Sequence, residues 1–155
     1  MSNFSLYPVT LDRTDTNAKR EEIRDYFNNT FSIFEKIFEL LKDDAVFYKK
    51  SEITRHPMIF YFGHTATFFV NKLINMKIIK ERINPEFESI FAVGVDEMVW
   101  DDMDSTNNKW PEVTKVRDYR AKVKEMVCNL IMDMPLSLPI TEDSDMWIRL
   151  MGIEH

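Results

Sequence analysis

The sequence contains very little glycine and almost no cysteine. Its 155 residues include three glycines and one cysteine, Cys128. Few glycines leave few positions for tight turns, which disfavours a fold of many short strands and favours long helices. A single cysteine excludes an internal disulfide framework and is typical of a reducing compartment. We therefore expect a helical, cytoplasmic protein in which Cys128 is a small buried hydrophobic residue.

The sequence also lacks the clustered positive charge of nucleic-acid-binding proteins and the long apolar runs of membrane proteins. The formal net charge is −6, and the basic residues are scattered among acidic ones. Nucleic-acid binding depends on clustered Lys and Arg, so a nucleic-acid partner is not expected. Apolar runs such as residues 58–62 are far too short to span a bilayer. The N-terminus lacks the basic start and apolar stretch of a secretory signal. No membrane partner is therefore expected.

Periodicity divides the chain into an N-terminal arm, residues 1–17, and one helical domain, residues 18–155. The arm is polar and shows no period, whereas apolar residues recur at three- and four-residue steps from Ala18 onward. This spacing predicts a first helix with an apolar stripe, capped by one of three polar residues. The stripe comprises Ile23, Phe27, Phe31, Phe34, Phe38 and Leu41, and the candidate caps are Asp15, Thr16 and Asn17.

Three further helices are predicted from prolines, caps and apolar stripes. The second starts at Pro57, the third at Pro111, and the fourth after Thr141, continuing to His155. Pro85 and Pro111 bound a long connection, a feature that is often functional. Four amphipathic helices with two long connections indicate an all-α four-helix bundle.

Two histidines lie on apolar faces of these predicted helices. His64 shares a row with Phe60 and Phe68, and His155 follows Trp147 and Met151 at four-residue steps. Metal sites in helical bundles are built from such inward side chains. A lone histidine on an apolar face is nevertheless more often a hydrogen-bonded core residue. Two imidazoles are also too few for a catalytic metal, which usually has three protein ligands.

Other candidate features have simpler explanations. His56 precedes a proline, is biased away from helix, and is expected to face a loop or a helix entrance. The acidic stretch 96–104 lacks the ligand spacing and central glycine of a calcium loop, which favours a solvated acidic loop. Gly63 lies inside the second helix, where glycine costs about 1 kcal/mol relative to alanine. We expect it to permit a close backbone approach beside His64.

Four local strings carry a resemblance that covers nearly the whole chain after the arm. They are similar to the opening of 5-histidylcysteine sulfoxide synthases, the iron enzymes of ovothiol biosynthesis. GHTATFF and FAVGVDEMVWDD are the most specific parts. The four strings are IRDYFNNTFSIFEKIFELL, RHPMIFYFGHTATFFVNKL, FESIFAVGVDEMVWDDM and the terminal MGIEH.

The resemblance implies a DinB-like four-helix bundle that supplies three histidines to a mononuclear non-haem Fe(II). His64 matches the first ligand, and His155 matches the first histidine of an HxxxHxE motif. We expect the third histidine beyond the end of this chain, together with a domain resembling formylglycine-generating enzymes. The implied reaction uses O2 to join cysteine sulfur to C5 of histidine and to form the sulfoxide. We expect the chain on its own to be inactive.

Two other functions stay open at this stage. One is a stand-alone DinB-like metal-dependent thiol transferase that uses zinc or nickel. The other is a non-enzymatic bundle whose histidines are core residues. Metal content and O2 uptake with cysteine and histidine distinguish the three possibilities.

Overall fold

A computed structural model describes Val9, residues 14–93 and residues 109–139 of the chain. Four α-helices follow one another in this part: α1 (Thr16–Glu39), α2 (Met58–Asn75), α3 (Pro85–Ile90) and α4 (Val113–Asp133). A short 3-10 helix, Asp44–Tyr48, lies between α1 and α2. The predicted all-α bundle is confirmed. The predicted fourth helix, residues 141–155, and the acidic stretch 96–104 lie outside the described residues.

The N-terminus of α1 is fixed by Asp15, one of the three predicted caps. Its carboxylate accepts hydrogen bonds from the backbone N–H groups of Asn17 (2.9 Å) and Ala18 (3.1 Å). These N–H groups have no partner within the helix, so the cap satisfies both. The helix consequently begins at Thr16, two residues before the predicted start.

The bundle is organised around α4, which packs against both α1 and α2. The apolar stripe predicted for α1 is largely confirmed, since Ile23, Phe27, Phe31 and Phe38 are buried. The sequence of α4 has residues at three- and four-residue steps that are all buried in the structure. They are Val113, Val116, Arg120, Val123 and Val127. These side chains form one continuous hydrophobic core with those of α2.

The connections contain more structure than the sequence pattern indicates. Phe47 of the 3-10 helix is 1% exposed and packs against Phe38 and Phe62, with ring centroids 5.8 and 5.4 Å away. The long connection after Pro85 opens with the short helix α3. Its signals are local, because the Asn84 side chain caps the Phe87 N–H and Pro85 occupies the first turn.

Cys128 is half-buried on α4, whereas the sequence predicts a buried hydrophobic residue. Its Sγ lies 3.4 Å from Oδ1 of Asn28 on α1. The thiol therefore contributes a weak polar contact between two helices as well as apolar packing.

Candidate functional site

His64 lies in the middle of α2, within the predicted row of aromatic rings. Its imidazole is parallel to the Phe60 ring, with centroids 5.3 Å apart and 9° between the planes. Phe68 meets the other side edge-on, at 6.2 Å and 63°. Because both neighbours come from the adjacent turns of the same helix, the ring is held between them. The imidazole is half-buried, so one part of it faces open space.

One ring nitrogen of His64 already has a hydrogen-bond partner. Nδ1 lies 2.8 Å from the backbone carbonyl oxygen of Phe91. A carbonyl only accepts hydrogen bonds, so in the neutral ring the geometry assigns the proton to Nδ1 and leaves the lone pair on Nε2. Metal-binding histidines are typically oriented in this way by a carbonyl or a carboxylate. In this tautomer Nε2 of His64 is the nitrogen whose lone pair can bind a metal ion.

Gly63 permits the approach of the residue that orients His64. A Cβ built on Gly63 would lie 2.5 Å from three carbons of the Phe91 ring, closer than van der Waals contact allows. Phe91 is fully buried and also stacks on Trp110, with centroids 6.0 Å apart. The prediction of a close backbone approach beside His64 is confirmed. The approaching group is the aromatic ring whose own carbonyl bonds the imidazole.

The position of Phe91 is held in turn by a buried carboxylate on α3. Glu88 accepts hydrogen bonds from the backbone N–H groups of Ile83 (2.9 Å) and Asn84 (2.8 Å) and from Nη1 of Arg82 (3.0 Å). The side chain of Glu88 is fully buried, whereas that of Arg82 is 38% exposed. Glu88 therefore closes the turn before α3 and fixes the helix that carries Phe91.

Asn71 fastens α3 to α2. Its Nδ2 donates to the carbonyl oxygen of Glu88 (3.2 Å), and its Oδ1 accepts from Nη1 of Arg82 (2.7 Å). Since Asn71 is two turns beyond His64 on the same helix, this network fixes the Phe91 carbonyl relative to the imidazole. The network was not predicted from sequence.

His56 lies at the entrance of α2, as expected, and its side chain is buried there. The residue is not helical, as its proline neighbour indicates, but it is 8% exposed. Its ring stacks on Phe60 with centroids 4.0 Å apart, and Trp110 lies edge-on at 6.2 Å. Its Nε2 is buried and has no hydrogen-bond partner among the described residues. His56 is a core residue packed on the same phenyl ring as His64.

Burial lowers the pKa of His56, and the nearby charges of Lys50 and His64 lower it further, against a hydrogen bond to the backbone of Val93. Neutral His56 therefore contributes stability that is fully present above pH 6.5 and is lost as the pH falls through the lower folded pKa. We expect the urea midpoint to fall between pH 7 and pH 5 less steeply in His56→Phe, which keeps the stacking. Parallel pH curves for the two proteins would contradict this assignment.

A cavity of about 420 Å³ adjoins His64. Phenyl rings from α1 (Phe27, Phe31, Phe34) and α2 (Phe68, Phe69) form much of its wall. The polar groups in its wall include Arg120 of α4, Thr65 and His64 itself. The cavity is large enough for a small organic molecule, and one of its walls carries an imidazole.

The guanidinium of Arg120 is fully buried beside this cavity. It lies over three phenyl rings, those of Phe31 (4.5 Å), Phe34 (5.0 Å) and Phe62 (4.6 Å), with distances measured from Cζ to the ring centroid. Burial lowers its pKa to about 10, although Glu35 opposes the shift. In the sequence, Arg120 stands out as a charged residue among the apolar positions of α4. The sequence did not show which side chains would surround it.

Of the two predicted metal ligands, the described residues include one. His64 has the orientation of a ligand, whereas His155 lies outside the described residues. Within residues 14–93 and 109–139, no group of three or more His, Cys, Asp or Glu side chains is placed to hold a metal ion. His56 and His64 both pack against the Phe60 ring, but they are not part of such a group. Of the predicted ligands, the described part therefore contains His64 and does not show the rest of a metal site.

Comparisons with known proteins add no assignment. No protein-family model matches the chain, and a search of curated proteins finds no match to it. Among the described helices, none is long and apolar enough to cross a membrane.

Proposed function

We propose that His64 is one ligand of a non-haem Fe(II), and that this chain forms the iron-binding domain of an O2-dependent sulfoxide synthase. The observation that carries the first part is the 2.8 Å contact between Nδ1 of His64 and the Phe91 carbonyl. In the neutral ring it leaves the lone pair on Nε2, and the neutral imidazole is the form that binds metals. The second part rests on the resemblance of GHTATFF and the other strings to the ovothiol enzymes.

The surroundings of His64 support a ligand role in two further ways. Phe60 and Phe68 restrict rotation of the ring, so that Nε2 keeps one direction. The buried network around Glu88 keeps the Phe91 carbonyl in place and with it the proton at Nδ1. A rigid, oriented imidazole loses little conformational entropy when it binds a metal ion.

In the proposed enzyme, His155 and a histidine beyond it complete a three-imidazole set. Iron held by these residues would supply a Lewis-acidic, redox-active centre for a substrate thiol and O2. The proposed reaction would break the S–H bond of cysteine and the C5–H bond of the histidine imidazole and form a C5–S bond. O2 would be the oxidant, with one oxygen atom entering the sulfoxide and the other leaving as water. A following domain, resembling formylglycine-generating enzymes, provides much of the substrate pocket.

Anaerobic Fe(II) titration tests the role of His64. We expect His64→Gln to weaken Fe(II) binding by at least about tenfold, because even the loss of a group that orients a ligand costs that much. His56→Gln is the matched control, since His56 is a neighbouring imidazole that packs on the same phenyl ring. It should leave the affinity unchanged in protein that urea unfolding shows to be folded. Equal Fe(II) affinity in His64→Gln and the unmodified chain would refute the assignment.

A second comparison tests the three-histidine arrangement and the reaction. A chain extended beyond His155 through the next histidine should bind Fe(II) more tightly than this one. Equal, tight binding by both would reject the arrangement. O2 uptake with cysteine plus histidine, measured on the extended protein with its following domain, tests the sulfoxide synthase. A zinc-loaded protein without O2 uptake would instead indicate the thiol transferase.

A further inference from the structure

The guanidinium of Arg120 has an incomplete set of hydrogen bonds. Nη1 donates to the carbonyl oxygen of Phe62 (2.6 Å) and to Oγ1 of Thr65 (2.7 Å). Nε lies 3.4 Å from Oε1 of Glu35, which is a long contact for an ion pair. Nη2 is buried and has no hydrogen-bond partner among the described residues. A guanidinium carries five N–H donors, so the two on Nη2 are unpaired within the described part of the chain.

Buried N–H donors without an acceptor raise the free energy of the folded protein. A ligand that accepts hydrogen bonds from the guanidinium would remove part of this cost. Glu35 compensates the charge only in part, because its carboxylate is 29% exposed and approaches only Nε. A carboxylate is the acceptor that suits a guanidinium best, since it combines negative charge with oxygens at the spacing of the N–H groups.

The size and lining of the cavity beside Arg120 indicate what else such a ligand contains besides its carboxylate. Its volume of about 420 Å³ accommodates a molecule of the size of an amino acid or a phenyl-substituted acid. Its walls are mainly phenyl rings from α1 and α2, which favour an apolar or aromatic body. The cavity wall contains one buried guanidinium and several phenyl rings. A ligand with one carboxylate and an apolar or aromatic body is therefore expected to fit it.

We propose that the cavity between α1 and α2 is a binding site for a small organic carboxylate, whose carboxylate pairs with the guanidinium of Arg120 in the cavity wall and whose apolar body contacts the phenyl rings. This site does not depend on a metal at His64, so it is tested on metal-free protein. A failure of the iron proposal leaves the expected results below unchanged.

The test compares 3-phenylpropionate with 3-phenylpropionamide, which has the same shape but no charge. Each is titrated into the EDTA-treated chain and followed by ¹H–¹⁵N correlation spectra, with residues such as Thr65 and Phe69 as reporters. We expect 3-phenylpropionate to bind at least about tenfold more tightly than the amide, the ratio that one charge-assisted hydrogen bond provides. No binding of 3-phenylpropionate, or equal binding of both compounds, would overturn the proposal.

Variants locate the site. Arg120→Met should abolish the preference for the carboxylate, whereas Arg117→Met should keep it. Arg117 is a matched control, because it also lies over the Phe62 ring (5.4 Å) but is not in the cavity wall. Glu35→Gln should strengthen carboxylate binding severalfold, since it removes the competing negative charge at Nε. If folded Arg120→Met still prefers 3-phenylpropionate over the amide, the proposal is overturned. If Arg120→Met does not fold, Glu35→Gln is the deciding variant. An unchanged affinity of Glu35→Gln for 3-phenylpropionate would then overturn the proposal.

Discussion

Glu88→Ala is expected to destabilise the fold by about 3 kcal/mol. The substitution leaves the partly buried backbone N–H groups of Ile83 and Asn84 without their acceptor, and each such loss costs about 1–3 kcal/mol. Loss of the ion pair with Arg82 adds little, because that guanidinium is 38% exposed and is solvated by water. The measurement is the free energy of unfolding in urea.

Two companion variants make this prediction specific. Glu86→Ala lies on the same short helix but is exposed, and we expect a change within about 0.5 kcal/mol. Glu88→Gln keeps one carbonyl oxygen as an acceptor and should fall between the two. Glu88→Ala should also weaken Fe(II) binding, since α3 carries the Phe91 carbonyl that orients His64. Equal stability of the Glu88→Ala and Glu86→Ala proteins would show that the buried carboxylate does not hold the turn.

Gly63→Val is expected to cost about 3 kcal/mol, at the upper end for overpacking of a core. Even its Cβ would lie 2.5 Å from three ring carbons of Phe91, and the two methyl groups of valine add to the overlap. The helix gains some intrinsic stability when glycine is replaced, which offsets less than about 1 kcal/mol. The displaced ring should also draw the Phe91 carbonyl away from Nδ1 of His64 and weaken Fe(II) binding.

A double-mutant cycle with Phe91→Ala checks the physical cause. Phe91→Ala alone should cost about 3–5 kcal/mol, because it removes a fully buried ring. If the clash is between residue 63 and that ring, the double variant should be more stable than the sum of the two losses by more than about 1 kcal/mol. Additive losses would mean that Gly63 is needed for another reason.

The proposed iron ligand and the proposed carboxylate site lie next to the same cavity. His64 and Arg120 both lie in the wall of one cavity, but they present different chemistry. The imidazole offers a lone pair to a metal ion, and the guanidinium offers hydrogens to an anion. Titrations with Fe(II) and with 3-phenylpropionate therefore separate the two roles: His64→Gln should weaken Fe(II) binding, and Arg120→Met should abolish the preference for the carboxylate over the amide.

The sequence by itself determined the three long helices and the position of His64. Helix bounds follow from local features, namely a stripe with a repeat of three to four residues and a cap such as Asp15. The same periodicity places His64 on the face of Phe60 and Phe68, and the cost of glycine within a helix indicated a close approach at Gly63. These features depend on residues only a few positions apart. The metal-binding role of His64 and the resemblance to sulfoxide synthases stay predictions.

Only the tertiary structure decided what these residues contact. The carbonyl that orients His64 belongs to Phe91, 27 positions along the chain, and the rings around Arg120 come from α1 and α2. Backbone bias before a proline predicted that His56 is not helical, but not that it is buried against Phe60. Helical periodicity fixes which face a side chain occupies. It cannot fix the partner, because the partner depends on how whole helices pack against one another.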